Sequence, residues 1–465
     1  MFESVHMAST VERALAKHVE LSSLKISPSA VVAVKGALLD TLACMIAGKN
    51  SPECQKMQTM LSMRGGIAES TTVGCNQRMP LTSAALCNAM QAHWYEWDDL
   101  HDVAVSHTSA VIWPVLLATA EAAGMDGPEA GAELIAAAAV AYDVATHVGK
   151  SITPFAHYGW HATAHGSAVG AAAGAARLWG LSTEGVLSAM GLAATAASLT
   201  RQPLLDRVNG KNALCAQAVS AAMTAVDLAR AGVKGAPSFL TGDYGFIALM
   251  SGGVGKSEVG IDELGLKFAV EEMSIKPYPC CRAVHQGIDL ALQIRGKNPE
   301  IAKDIQNILI HLPQPSFDMV GKPFEPGENP RVSAQFSMAY TVALAFLKGR
   351  VGLKDFDANQ IIADKQVSSF SKLVEVFSFP LSAGQGQYDL PVTLTCILKN
   401  GSEHTRSTAL VKGSPMHPLN TQERYSKLLD CAEGHLSLDE VMELQFAVEH
   451  LEVNGIAHVM SIFRK

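Results

Sequence analysis

The densest run of side chains able to move protons lies between His93 and His107, where three histidines and four carboxylates fall within fifteen residues: His93, Glu96, Asp98, Asp99, His101, Asp102 and His107. Imidazole titrates near neutrality, so beside carboxylates it can act as general base or acid. The same run also fits a solvated loop between helices, with Asp98 or Asp99 as cap and Thr108 and Ser109 beginning the next helix. Metal ligation fits less well, because the run has no cysteine and its His and Asp spacing matches no standard ligand pattern.

Three further clusters carry polar groups suited to an anion. His157, Tyr158, His161 and His165 precede or open a glycine- and alanine-rich helix. Free N–H groups at a helix N-terminus favour a carboxylate there, and one of these histidines is expected to be structural. Lys211, in the run Asn209 to Asn212, precedes another alanine-rich helix; a lysine so placed is by default a solvated surface residue. Lys276 opens the run Lys276 to His285, in which Pro277 and Pro279 bracket Tyr278 and make a stiff entry to a helix. Lys276, Arg282 and His285 can converge on an anion from such a segment, while Cys280 and Cys281 are read as buried packing.

The elements that must position these groups are mainly helical. From Val11 to about Gly253 apolar residues recur at three- and four-residue spacing, as in Val31, Val34, Leu38, Leu42 and Met45. Alanine dominates the middle of the chain, and small side chains let helices pack closely in layers. Near Phe268 the character changes. The segment Ile305 to Leu312 has strand length and β-branched content, and Leu390 to Leu398 and Glu403 to Val411 flank an Asn400-Gly401 hairpin turn. Between them Ala334 to Gly349 and Asp357 to Ala363 look helical, as does Thr421 to Arg464. The expected fold is therefore mainly α. A large helical domain is built from both chain ends, residues 1–267 and 413–465, with a smaller α+β lid domain, residues 268–412, inserted.

Bulk properties narrow the partners. With a net charge of −8 the chain has no electrostatic footprint for nucleic acid, and an anionic substrate must be met by a local positive site. Nine cysteines without a CxxC pair argue against a disulfide framework and for a reducing, cytoplasmic setting. The first 21 residues lack an apolar signal segment. The apolar stretches Ala132 to Ala141 and Gly166 to Ala176 are too short to span a bilayer, so no membrane partner is expected. No HExxH or GxSxG occurs, and Gly252 to Ser257 lacks the first glycine of a phosphate loop and reads as a helix exit.

The clusters occur in a particular order: His93, Asp98-Asp99 and His107; Gly159 to Thr163; Gly210-Lys211; Lys276 to His285; Phe336 to Tyr340; then Gly413 and His417 to Leu419. As an ordered set they resemble the MmgE/PrpD family, over about Val11 to Lys427. That family includes 2-methylcitrate dehydratases, cis-aconitate decarboxylases and an iminodisuccinate epimerase. The resemblance implies a homodimer with a cleft between a helical and a lid domain. It also implies acid–base chemistry on a small polycarboxylate without metal or cofactor. Carried over by position, the pocket falls on Glu96, Leu100, His107, His161, Lys211, Lys276, Cys281 and Tyr340, with Glu96, Leu100 and Cys281 departing from the decarboxylase's aspartate, threonine and histidine. It implies His107, His161, Tyr340 and Glu96 as catalytic residues. Lys211, Lys276, Arg282, His285, Asp98 and Asp99 would then bind substrate. Dehydration of a 2-alkylcitrate-like substrate is the expected reaction, with epimerisation of an imino- or aminodicarboxylate and decarboxylation as rivals and a non-catalytic helical binding protein further off.

Overall fold

Helices form where alanine is dense and where the sequence marks their ends. The computed structural model describes residues 10–464 except 22–24, 76, 154–158, 198, 259, 297, 382–387 and 389, so His157 and Tyr158 lie outside the described residues. The first half is a succession of helices: α1 (Thr10–Glu20), α2 (Pro28–Gly48), α3 (Pro52–Arg64), α4 (Leu81–His93), α5 (Ser109–Ala122), α6 (Gly127–Ile152), α7 (Ala162–Leu178) and α8 (Thr183–Ala196). Ser27, Ser51 and Ser182 each accept a first-turn backbone N–H, satisfying a donor that the helix itself leaves free. The helix Leu214–Arg230 follows, and Thr421–Ala432, Leu438–Glu449 and Leu451–Ser461 return to pack on the same group.

Small residues set how closely these helices lie. A Cβ added at Gly166 or Gly170 of α7 would stand 2.4 Å from the Ala145 carbonyl oxygen and 2.3 Å from that of Ala141, both on α6. No larger side chain fits, so the alanine and glycine content is what brings α6 and α7 into backbone contact. Helix α2 is long and apolar enough to cross a membrane by length and composition, but 67% of its apolar window is buried inside the fold. Its Asp40 pairs with Lys427 at 2.6 Å, as befits a core helix.

Strands are few. Two-residue ladders join β1 (Ser70–Thr71) to β2 (Arg78–Met79) and β3 (Leu100–His101) to β4 (Met273–Ser274). A four-stranded sheet has the order β6-β5-β7-β8, from β5 (Ile305–Pro313), β6 (Val374–Phe379), β7 (Val392–Leu398) and β8 (Glu403–Thr408). The hairpin β7–β8 turns at Gly401, whose φ of +82° is the left-handed conformation the Asn-Gly pair supplies. Strand β6, parallel to β5, is not expected from the sequence reading; only Val374 of its six residues is fully buried, so alternation is weak. The run ending at Ser251 does exit its helix through a left-handed Gly252, as read.

Apolar side chains gather into two main cores. One takes residues between Val11 and Met273 together with Leu428 to Phe463. The other takes Leu100 and residues between Tyr278 and Val411, including the buried strands and the helix Met338–Lys348. The β3–β4 ladder lies where the chain passes between them, pairing Leu100 with Ser274 and His101 with Met273. That pairing brings the carboxylate-rich loop after α4 against the segment that carries Lys276.

Candidate active site

One short loop distributes four carboxylates to four destinations. Glu96 and Asp98 turn to basic groups, whereas Asp99 accepts from the Ser109 backbone N–H at 3.4 Å and from its hydroxyl, at the start of α5. Asp102 is held by Arg282 through Nε at 3.1 Å and Nη2 at 3.2 Å, and accepts from Ser274. The loop backbone is tied as firmly. Gln335 Nε2 donates to the Tyr95 carbonyl at 2.7 Å and to that of Pro279 at 2.9 Å, Asn212 Nδ2 to Trp94 at 2.8 Å, and Lys427 Nζ to Trp97 at 2.7 Å. Glu96 itself has φ +58°, a left-handed conformation that costs a non-glycine residue about 1–3 kcal/mol and persists where surroundings impose it.

Asp98 organises the imidazoles. Its Oδ2 lies 2.8 Å from His93 Nδ1 and 3.0 Å from His107 Nδ1, and the two rings meet edge to face with centroids 4.6 Å apart. Burial alone would raise this carboxyl, but the two imidazoles hold it well below the usual carboxylate range. An ionised carboxylate only accepts, so each Nδ1 carries the proton and each Nε2 faces the other way. Burial pulls His93 down to about 3, which keeps its ring neutral and lets Nε2 accept from Lys211 Nζ at 3.0 Å. The backbone N–H of His107 is fixed by Thr163 Oγ1 at 3.0 Å.

Both lysines close on Glu96. Lys276 Nζ donates to Glu96 Oε1 and to its carbonyl oxygen, each at 2.9 Å, and Lys211 Nζ pairs with Oε2. His107 Nε2 stands 3.4 Å from Oε1 and His93 Nε2 3.9 Å from Oε2. Glu96, Lys211 and Lys276 are all 2% exposed or less. Burial, with Lys276 beside it, lowers Lys211 to about 7, and burial likewise lowers Lys276. Lys211 lies in a tight turn, Asn209–Ala213, and overlies the Phe336 ring at 5.2 Å.

The remaining sequence candidates are placed as follows. His161 caps α7, buried, with its Nδ1 unpartnered among the described residues. Burial, then the charges of His93 and His107, push it well below its ordinary value. His165 is buried and packs edge-on to Trp160 and Phe246. Arg282 is engaged by Asp102 and the Lys412 carbonyl, and buried His285 by the Cys280 carbonyl and the Tyr278 ring. The Tyr340 hydroxyl donates to the Asp355 carbonyl at 3.2 Å between Phe324 and Phe356. None of these three contacts the Glu96 group. Cys280 and Cys281 are buried and their thiols raised by burial.

Sequence reasoning named His93 only as part of a cluster and did not single out Gln335, Asn212 or Lys427. The last three act on loop carbonyls from distant segments, and no local pattern marks them. One ring nitrogen each of His93 and His107 and a carboxylate oxygen of Asp98 lie within 4.8 Å of one another, close enough to share a cation. Their direct hydrogen-bond distances and the ammonium on His93 suit protons better.

A mainly helical chain that buries two lysines and two oriented imidazoles around one carboxylate has the make-up of an acid–base enzyme for anions. The chain belongs to the MmgE/PrpD family: its N-terminal domain model matches residues 13–258 and its C-terminal domain model residues 278–452. Two cis-aconitate decarboxylase sequences of Aspergillus terreus are 26% and 27% identical to it over 453 residues, covering 90% of this chain and 88% of theirs. The cis-aconitate decarboxylase-like protein oryM of Aspergillus oryzae is 26% identical over 381 residues, 77% of this chain and 78% of its own.

Proposed function

We propose that the protein is an acid–base lyase that uses neither metal nor cofactor and removes water from a small polycarboxylate of the 2-alkylcitrate type. The observation that carries this reading is the convergence of Lys211, Lys276, His93 and His107 on a single buried carboxylate, with both imidazoles oriented by Asp98. A carbon next to a carboxylate is a weak acid, and its deprotonation needs a base of tuned pKa and cations on the developing charge. His107 is the base: its tautomer is set and its Nε2 faces the carboxylate position. Lys276 holds the negative charge that builds on the substrate carboxylate. Lys211, lowered to about 7, is poised to give its proton to the departing hydroxide. His161, a buried neutral imidazole at the N-cap position of α7 within range of the charges of His93 and His107, serves as a second hydrogen-bond acceptor for the substrate. Leu100 and Trp97, both buried, suit an alkyl substituent.

Decarboxylation is the second reading, favoured by the relatives named for cis-aconitate. The same cations would then stabilise the charge left on carbon by departing carbon dioxide, and Lys211 would deliver the proton that takes its place. Incubation with methylcitrate, cis-aconitate and iminodisuccinate in deuterated water, followed by NMR, separates the reactions. An unsaturated tricarboxylate from methylcitrate supports dehydration, gas release from cis-aconitate supports decarboxylation, and deuterium exchange on iminodisuccinate without either supports epimerisation. Dialysis against a strong chelator should leave the activity intact; recovery only with added metal would refute the metal-free reading. The working unit is proposed to be a homodimer, for which light scattering should give twice the 49.2 kDa chain mass.

A further inference from the structure

The group at the centre of the site is the chain's own. Two lysines from separate segments donate to the Glu96 carboxylate, with His107 Nε2 3.4 Å from it, in the way an enzyme would receive a ligand carboxylate. Glu96 is only 2% exposed, so while it stays there is no room for a second carboxylate between the lysines. Building on the carboxylate-substrate reading above, we propose that Glu96 is a resident stand-in for the substrate's carboxylate. It fills the seat between Lys211 and Lys276 in the unliganded protein, and the incoming carboxylate takes the seat by displacing it.

The local anchoring fits a side chain that moves while its backbone stays. Tyr95 and Trp97, on either side, have their carbonyls pinned by Gln335 and Lys427 at 2.7 Å. Lys276 grips the Glu96 carbonyl at 2.9 Å independently of the carboxylate, which leaves a pivot when the side chain swings. The left-handed backbone at Glu96 shows that this residue is held by its surroundings, not by its own preference. A cleft of 640 Å³ touches Asn209, at the start of the turn that carries Lys211; its walls hold Arg207 and Lys322 but also Asp206, Glu325 and Glu328.

Charge conservation then dictates the ligand class. Replacing one carboxylate by another keeps both buried ammonium groups paired, whereas a neutral ligand would leave them exposed to a low-dielectric interior without a counter-charge. The seat therefore selects carboxylates over the corresponding amides or esters.

The test is calorimetric titration of citrate into wild type, Glu96→Ala and Glu96→Gln, since the seat's occupied fraction lowers apparent affinity. Emptying the seat should tighten citrate binding by about tenfold or more. Formate, small enough to fill the vacancy, should then compete with citrate in Glu96→Ala and not in wild type. In a crystal of wild type with citrate, a ligand carboxylate should lie between Lys211 and Lys276 with Glu96 turned away. If citrate binds wild type and neither variant binds it more tightly, the stand-in is refuted while the carboxylate reading survives. If citrate binds none of the three proteins, both fall. Should Glu96→Ala fail to fold, Glu96→Gln and the wild-type complex decide: Glu96 still on both lysines beside bound citrate would overturn the proposal.

Discussion

Two buried lysine–carboxylate arrangements flank the same loop and differ in one respect. Lys427 has Asp40 to itself at 2.6 Å and spends another donor on the Trp97 carbonyl. Burial would lower this lysine, but Asp40 raises it above its ordinary value, so it stays charged and serves as a strut. Lys211 and Lys276 share Glu96, and burial lowers both. A cation with its own counter-ion is finished business; two cations sharing one have capacity left for a ligand. On the function proposed above, stability resides in the first arrangement and chemistry in the second.

Substitutions test that division, the largest effect first. Lys211→Ala should lower turnover by about 10²–10⁴-fold, as loss of a positioned acid does, while melting stays near wild type because Glu96 keeps Lys276. A lysine variant that melted early and kept its turnover would reverse the assignment. His161→Ala, measured by the same assay, should lose turnover on a similar scale of about 10²-fold or more. Lys427→Ala should do the opposite, costing about 3–5 kcal/mol of stability by stranding Asp40, with turnover per folded molecule much less affected. Denaturant titration beside a steady-state assay reads both quantities.

Asp99 offers a smaller and pH-dependent check. Burial raises it to about 7, so the fold keeps its proton where the unfolded chain, with a pKa of about 4, has released it. The stability this proton contributes is present at low pH and lost as pH rises through about 7. Asp99→Asn cannot ionise, so its melting temperature relative to wild type should climb by about 2 °C or more between about pH 5 and about pH 8. A difference that stays flat would mean Asp99 does not titrate there. Smallest of all, Cys280→Ser should be nearly silent in rate and lower the melting temperature slightly, because that thiol packs in a core; a large loss of rate would call for a thiol mechanism instead.

Much of this was legible from the chain. Alanine-rich helical spacing, the Asn400-Gly401 hairpin and the ordered polar clusters are local signals, and local signals survive in one dimension. Glu96, His107, Lys211 and Lys276 were named from sequence and are found in one group. The division of labour within residues 93–102 was not legible, since Asp98 and Asp99 are neighbours of identical type with different partners. The β3–β4 register, α5's first turn and the long-range bonds to the Trp94, Tyr95 and Trp97 carbonyls together decide which faces the imidazoles. Arg282 and His285 read as anion ligands by charge, yet Asp102 engages the first from a distant loop and Tyr278, within the same run, packs on the second. Strand β6 escaped because a parallel edge strand with exposed residues shows little alternation.

The strut between Lys427 and the Trp97 carbonyl spans 330 residues, which has a consequence on the ribosome. At ordinary synthesis rates the loop that carries Glu96 waits roughly 15–65 s for the lysine that fastens it. Throughout that interval the emerging helices have neither their closing strut nor the C-terminal helices that complete the first core. A nascent chain of this architecture is expected to need holding factors until the helices from Thr421 onward are made, and a truncation before Lys427 should be recovered bound to a chaperone.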